Sequence, residues 1–163
     1  MSDSKNLAEL LATKLCHDVV GPIGSVNNGI ELLNEDDEMM KESAAELIAT
    51  STEEAIARIS YFRQAYGLIK QVSSASLSDI ENVVENYFKF SKCEINWPNS
   101  LADITVIQSE KKILLNLLLI ASQSLIRGGK INISVFGNDR KNIRLVATGK
   151  DTNINPFILE CFA

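Results

Sequence analysis

The 163-residue chain is poor in several residue types that common chemistries require: it has one histidine, one tryptophan, three cysteines and three prolines. A single histidine excludes His-rich metal centres, and a Ser-His-Asp hydrolase would have to place that one ring beside partners the sequence does not advertise. The cysteines, Cys16, Cys93 and Cys161, are odd in number and form no CxxC pair, so they build neither a disulfide framework nor a zinc site and read as reduced, mostly structural thiols. No apolar run approaches the roughly 20 residues that span a bilayer. The polar start MSDSKN also lacks the basic and apolar regions of a secretory signal. These absences point to a cytoplasmic protein with no membrane partner. Positive charge is short too: 16 Lys and Arg face 21 Asp and Glu, a net charge of -5. Nucleic-acid binding needs a basic footprint, so DNA and RNA are excluded as partners.

With 45% apolar residues the chain can bury a core. Its charge is uneven. Residues 1–75 hold 12 acidic and 6 basic side chains and residues 76–163 hold 9 and 10, giving -6 and +1. The change coincides with the small polar stretch Ser73-Ser74-Ala75-Ser76, the expected boundary between domains 1–75 and 76–163.

The first half predicts two long helices. Leu7, Leu11, Leu15, Val19, Pro22, Val26, Ile30 and Leu33 recur at spacings of three and four after a cap at Asp3 or Ser4. The cluster Asn34-Glu35-Asp36-Asp37-Glu38 turns the chain and brings carboxylates to the next helix start. A second stripe follows at Ala44, Ile48, Ser51, Ala55, Ile59, Phe62, Tyr66 and Ile69. With no Pro or Gly before Gly67, that helix could run for about 35 residues, or roughly 50 Å. Two such helices make an antiparallel hairpin. One hairpin cannot cover both stripes, which predicts a homodimer closing a four-helix bundle.

The second half predicts a small α+β layer. Ser78 is placed to cap a helix reaching Ser91, Cys93–Trp97 reads as a strand, and Ser109-Glu110 opens a largely apolar helix, KKILLNLLLIASQSLI. Gly128-Gly129 ends it, and Lys130–Phe136 and Asn142–Ala147 flank the turn Gly137-Asn138-Asp139 as a hairpin.

At 100° per residue, His17 lies opposite the first stripe and faces solvent near mid-helix, among Leu10, Thr13, Val20, Gly21, Gly24 and Asn28. Pro22 cannot donate to the carbonyl of residue 18, so with Gly21 and Gly24 it weakens the helix and is expected to kink it one turn past the histidine. The two glycines keep that surface low enough for a partner's backbone to approach, and Leu10 and Val20 add exposed apolar contacts. A lone exposed histidine is ordinarily a plain surface residue, although a break of this kind costs stability and invites a functional reason. Cys16 adjoins His17, but neighbouring helix residues point about 100° apart, which disfavours a Cys-His pair and leaves a bland, partly buried thiol as the expectation. The acidic cluster 34–38 lacks an EF-hand pattern and reads as a solvated turn. Arg58 and Arg63 could help to seat a partner but read equally as solvated helix arginines, and Lys130, Arg140, Lys141 and Arg144 could steer an acidic partner.

His17-Asp18-Val19-Val20-Gly21-Pro22 resembles the H-box of two-component signalling, with an acidic residue after the histidine and proline five positions on. The longer run LCHDVVGPIGSVNNGIELL, with EKKILLNLLLIASQSLIRGGKI further along, resembles the alphaproteobacterial histidine phosphotransferase family of ChpT type. The resemblance covers most of the chain. It implies a phosphorelay intermediate, in which His17 accepts a phosphoryl group from a receiver-domain aspartate of a hybrid histidine kinase and passes it to a response-regulator aspartate. It also implies that Asp18 orients the ring or accepts its proton, that Leu10, Thr13, Val20, Gly21, Gly24 and Asn28 dock the receiver, and that Mg²⁺ arrives with the receiver while this chain binds no metal or cofactor.

The second half resembles the ATP-binding module of sensor kinases, with Asn116-Leu117-Leu118 at the asparagine-rich helix. Ile120 stands where those kinases carry a Mg²⁺ ligand, and Ala147 where they carry the adenine-binding Asp. The chain ends at Ala163 with no room for a nucleotide lid, so residues 76–163 are expected to be a degenerate, truncated GHKL-type sandwich without ATP binding or autokinase activity. Gly21 occupies the position from which bifunctional kinases hold a hydrolytic water, which implies weak phosphatase activity. A non-catalytic dimerisation scaffold is the alternative, and a true sensor kinase with a degenerate nucleotide site is a third reading.

Overall fold

A computed structural model describes residues 2–68, 74–98, 104–136 and 142–154, with side chains from Glu9 and then from Leu11 onward. The chain forms two compact units, Met1–Arg63 and Gln64–Ala163.

The first unit contains α1 (Ser2–Leu32) and most of α2 (Glu38–Tyr66). Between them Leu33–Asp37 is exposed, and the Asp37 carboxylate accepts a 2.8 Å hydrogen bond from the Met39 amide, satisfying a donor at the start of α2. α1 runs unbroken through Pro22.

The residues that close the hairpin differ from the expected stripe. On α1 the buried positions are Asp18, Pro22 and Gly29, flanked by half-buried Leu11, Lys14, Ser25 and Val26, a series spaced by three and four that marks one face. Of the expected stripe, Leu15, Ile30 and Leu33 are exposed, Leu11, Val19 and Val26 are half-buried, and the side chain of Leu7 lies outside the described residues. The physical reason is the size of the residues at the contact. On α2 the buried positions Ala44, Ser51 and Ala55 are small, and Gly29 of α1 has no side chain at all. A β-carbon at Gly29 would stand 2.6 Å from Cγ1 of Ile48 and 3.2 Å from the carbonyl oxygen of Ala44. Small residues allow the backbones to approach, and the branched side chains turn onto the adjoining face. The α2 expectation fares better: Ala44, Ser51, Ala55 and Phe62 are buried, Ile48 and Tyr66 are half-buried, and only Ile59 is exposed. Ile69 lies outside the described residues.

The second unit contains β1 (Ser74–Ser76), α3 (Leu77–Phe88), β2 (Cys93–Asn96), β3 (Thr105–Ile107), α4 (Gln108–Ser124), β4 (Gly129–Phe136) and β5 (Asn142–Thr148). The unit also takes in the last residues of α2, from Gln64, and Lys112 on α4 donates from Nζ to the carbonyl of Gly67 just beyond that helix. The stretch expected to be the domain boundary holds strand β1, which pairs antiparallel with β3. The α3 cap is Ser76 rather than Ser78. Its hydroxyl accepts from the Asp79 amide while the Asp79 carboxylate accepts from the Ser76 amide, a reciprocal capping box. α3 ends at Phe88, one turn before Ser91.

The larger sheet has the order β2-β4-β5, with β2 parallel to β4 and β4 antiparallel to β5. α4 forms the crossover between β2 and β4 that a parallel pair requires. The core holds Leu77, Ile80, Val84 and Phe88 of α3, Leu114, Leu115, Leu118 and Leu119 of α4, and Ile131 and Ile133 of β4. Each fully buried aliphatic side chain contributes about 1.5–3 kcal/mol. Gly128, at φ 79°, makes the turn into β4, where a β-carbon would collide with the carbonyl oxygen of Lys92. The turn expected at Gly137–Asp139 lies outside the described residues.

Candidate functional site

α1 presents three faces to different surroundings. Asp18, Pro22 and Gly29 face the hairpin interior. Adjoining that face round the helix, Leu15, Ile23 and Ile30 form an exposed apolar stripe, with Leu33 exposed just beyond the helix end. His17 lies on the other flank of the buried face, half a turn from the stripe, and its side chain is 85% exposed.

The face around His17 is open, as its sequence pattern indicated. Thr13, Val20, Gly21, Gly24 and Asn28 are all exposed, with Val20 at 67%, while the side chain of Leu10 lies outside the described residues. A β-carbon at Gly21 or Gly24 would meet nothing within 4 Å. Thr13 uses its hydroxyl within the helix, donating to the Glu9 carbonyl at 2.8 Å. The structure therefore brings an exposed imidazole and a low, weakly polar surface together on one helix face.

Asp18 occupies a different environment from the ring it adjoins. Its side chain is only 7% exposed, yet Oδ1 lies 3.3 Å from Nδ1 of His17, a long hydrogen-bonding distance. A carboxylate only accepts, so this contact is a hydrogen bond when Nδ1 carries the proton. Nε2 then holds the free lone pair. Sequence reasoning missed a third member, Lys14, one turn before Asp18. Its ammonium donates to Asp18 Oδ1 at 2.8 Å and stands 2.7 Å from Oδ2. Among the described residues Oδ2 finds no hydrogen bond of good geometry. Lysine and aspartate four positions apart on a helix were the available signal.

Other candidates resolve into plainer roles. Cys16 is a free thiol but exposed rather than partly buried, because it lies on the side of α1 turned away from Asp18, Pro22 and Gly29. Arg58 is half-buried and donates to Glu54 at 2.9 Å, whereas Arg63 is exposed. No group of three or more His, Cys, Asp or Glu among the described residues could hold a metal ion. None of the described helices is long and apolar enough to cross a membrane.

In the second unit a cleft of about 560 Å³ is lined by Leu117, Ile120, Ala121 and Ser124 of α4, Ile143, Leu145 and Ala147 of β5, and Thr152 and Ile154. These residues carry no charge. Asn116, beside the cleft lining, donates from Nδ2 to the Lys112 carbonyl of its own helix at 2.8 Å.

Residues 77–163 match the histidine phosphotransferase C-terminal domain family. Protein phosphotransferase ChpT of Brucella abortus (strain 2308) is 34% identical over 158 residues, spanning 95% of this chain and 73% of that protein. The solved structure of a bacterial phosphotransferase matches with a TM-score of 0.78 at 34% identity, again covering 95% of this chain and 73% of the other. The chain belongs to the ChpT-type histidine phosphotransferase family.

Proposed function

We propose that this protein is a phosphorelay intermediate in which His17 accepts a phosphoryl group from the aspartyl phosphate of one receiver domain and passes it to the aspartate of another. The observation that carries the reading is the 85% exposed His17 ring whose Nδ1 faces a buried carboxylate, leaving Nε2 for the incoming group. A neutral imidazole is a competent nucleophile near neutral pH. The Nε2 lone pair forms the new N–P bond as the P–O bond to the receiver aspartate breaks, and the bonding pair leaves with the receiver carboxylate. The Nδ1 proton stays on the ring, which becomes cationic, and Asp18 stabilises that charge. Delivery to the second receiver reverses these steps.

Phosphoryl transfer depends mostly on positioning and charge neutralisation, and the receiver brings its own Mg²⁺. The flat surface at Gly21 and Gly24, with Thr13, Val20 and Asn28 around it, gives a receiver room to seat its aspartate over the ring, and Leu10 completes that docking face. Gly21 offers no side chain to hold a hydrolytic water, which favours transfer over phosphatase activity. Residues 76–163 act as a degenerate kinase-like domain: apolar Ile120 and Ala147, which line the uncharged cleft, stand where sensor kinases carry the metal ligand and the adenine acceptor, which supports a chain that does not bind ATP. The protein works without ATP, in the cytoplasm with its receivers. Exposed Leu15, Ile23 and Ile30 on α1, with Ile56 and Ile59 on α2, favour a homodimer that pairs two hairpins into a four-helix bundle.

The deciding experiment offers the protein a phosphorylated receiver and, separately, labelled ATP with Mg²⁺. Label reaching the wild type from the receiver alone, and not reaching His17→Ala, is the expected result. Label from ATP would mean a kinase, and label from neither would mean a scaffold.

A further inference from the structure

We propose that Lys14 is a positioning residue that acts through Asp18 to hold the His17 ring in the tautomer whose Nε2 lone pair points outward. The proposal rests on the reading of His17 as the phosphoacceptor.

The geometry forms a chain of three groups. The Lys14 ammonium touches both Asp18 oxygens, at 2.8 and 2.7 Å, and Oδ1 is shared with Nδ1 of His17 at 3.3 Å. Which imidazole nitrogen carries the proton is set by the hydrogen bond the other nitrogen makes or lacks. A neutral histidine side chain in water favours the proton on Nε2, the form with no outward lone pair, so the Asp18 contact works against an intrinsic preference. That contact is long, and it survives only if the carboxylate is held in place. Lys14 is the group that holds it. Asp18 is 7% exposed, and no other hydrogen bond fixes its orientation among the described residues.

A buried carboxylate that loses its cation carries a heavy desolvation penalty. It relieves that penalty by turning toward water, which weakens its grip on Nδ1. The Lys14 side chain is itself 40% exposed, so its own burial costs little. Lys14 need not touch the phosphoryl group to affect transfer.

The single histidine makes the test direct, because only one pair of imidazole nitrogens appears in a ¹⁵N spectrum. Under mildly alkaline conditions the wild type is expected to show a protonated Nδ1 and an unprotonated Nε2. Lys14→Met should move both signals toward the Nε2-protonated form. It should also lower kcat for transfer from a phosphorylated receiver about 10-fold with KM for the receiver unchanged, in line with substitutions of groups that orient a histidine from behind. Lys14→Arg, which keeps the cation, should retain the wild-type ring signals and most of the rate. If Lys14→Met folds poorly, Lys14→Gln gives the same reading with a polar, uncharged chain. Unchanged ring signals in the uncharged variants would overturn the proposal, and so would a raised KM with kcat intact, which would make Lys14 a docking contact. The spectrum needs no receiver. A wild type that showed the Nδ1-protonated ring yet took no phosphoryl group would therefore sink the proposed function and not the role of Lys14 in setting the tautomer.

Discussion

Gly29 of α1 and Ile48 of α2 meet so closely that a β-carbon on the glycine would stand 2.6 Å from Cγ1 of the isoleucine. Gly21 and Gly24, on the same helix, face open space. Three glycines in one helix thus have opposite reasons to be there. Gly29→Ala gains about 1 kcal/mol of helix propensity but forces an overpacked contact that costs about 1–3 kcal/mol. The net expectation is a loss of roughly 1 kcal/mol, read from a lowered denaturant midpoint.

Gly21→Ala and Gly24→Ala gain the same propensity without a clash, up to about 1 kcal/mol each. Both variants should be more stable than the wild type. They should nevertheless transfer phosphoryl groups more slowly, because each methyl raises the surface on which a receiver is proposed to sit. Greater stability with undiminished transfer would show that the low surface serves no docking role.

Ile23 is 52% exposed and Ile30 51% exposed, on the stripe proposed to pair two hairpins. Ile23→Glu with Ile30→Asp should convert a dimer into a monomer in sedimentation experiments while leaving the helical circular dichroism of the second unit intact. A wild-type protein that sediments as a monomer would remove the four-helix bundle from the account.

The α3 capping box predicts an acid-sensitive element. Hydrogen bonds from Ser76, first its side chain and then its backbone, hold the Asp79 carboxyl below its ordinary value of 3.8. A carboxyl depressed in the folded state contributes stability that is present above the unfolded value and is lost as pH falls through the folded one. Ser76→Ala should cost about 1 kcal/mol near neutral pH. It should also flatten the loss of stability below about pH 4, where the unfolded carboxyl takes its proton first.

Lys111 behaves in the alkaline range. Burial pushes its ammonium below the ordinary 10.5, opposed by the nearby Asp79 carboxylate. Between the lowered folded value and 10.5 the unfolded chain binds more protons, so stability should rise with pH there. Thermal melts of Lys111→Met should lack that rise.

The helices, the β4–β5 hairpin and the exposure of His17 were legible because each rests on local periodicity. The buried face of α1 was not. Periodicity ranks side chains by hydrophobicity, and the hairpin is closed by residues chosen for smallness, Gly29 and Ala44 among them, which carry little hydrophobic signal. Strands β1 and β3 were missed because three residues each, paired across about thirty positions, leave no alternating pattern. Lys14 was overlooked for a related reason: an exposed lysine is read as solvated until the carboxylate it serves is seen to be buried. The Ser76 cap was hidden by Ser78, two residues on and hydroxyl to hydroxyl with it at 2.8 Å.

The open apolar stripe and the His17 face sit half a turn apart on α1. Along this helix the positions proposed to choose a partner, 10, 13, 20, 21, 24 and 28, share no member with those proposed to assemble the protein, 15, 23 and 30. On the proposed docking and dimer faces, one helix can be retuned toward a new receiver by substitutions that leave self-association untouched, so duplicated copies could diverge in their signalling wiring while still mixing as subunits.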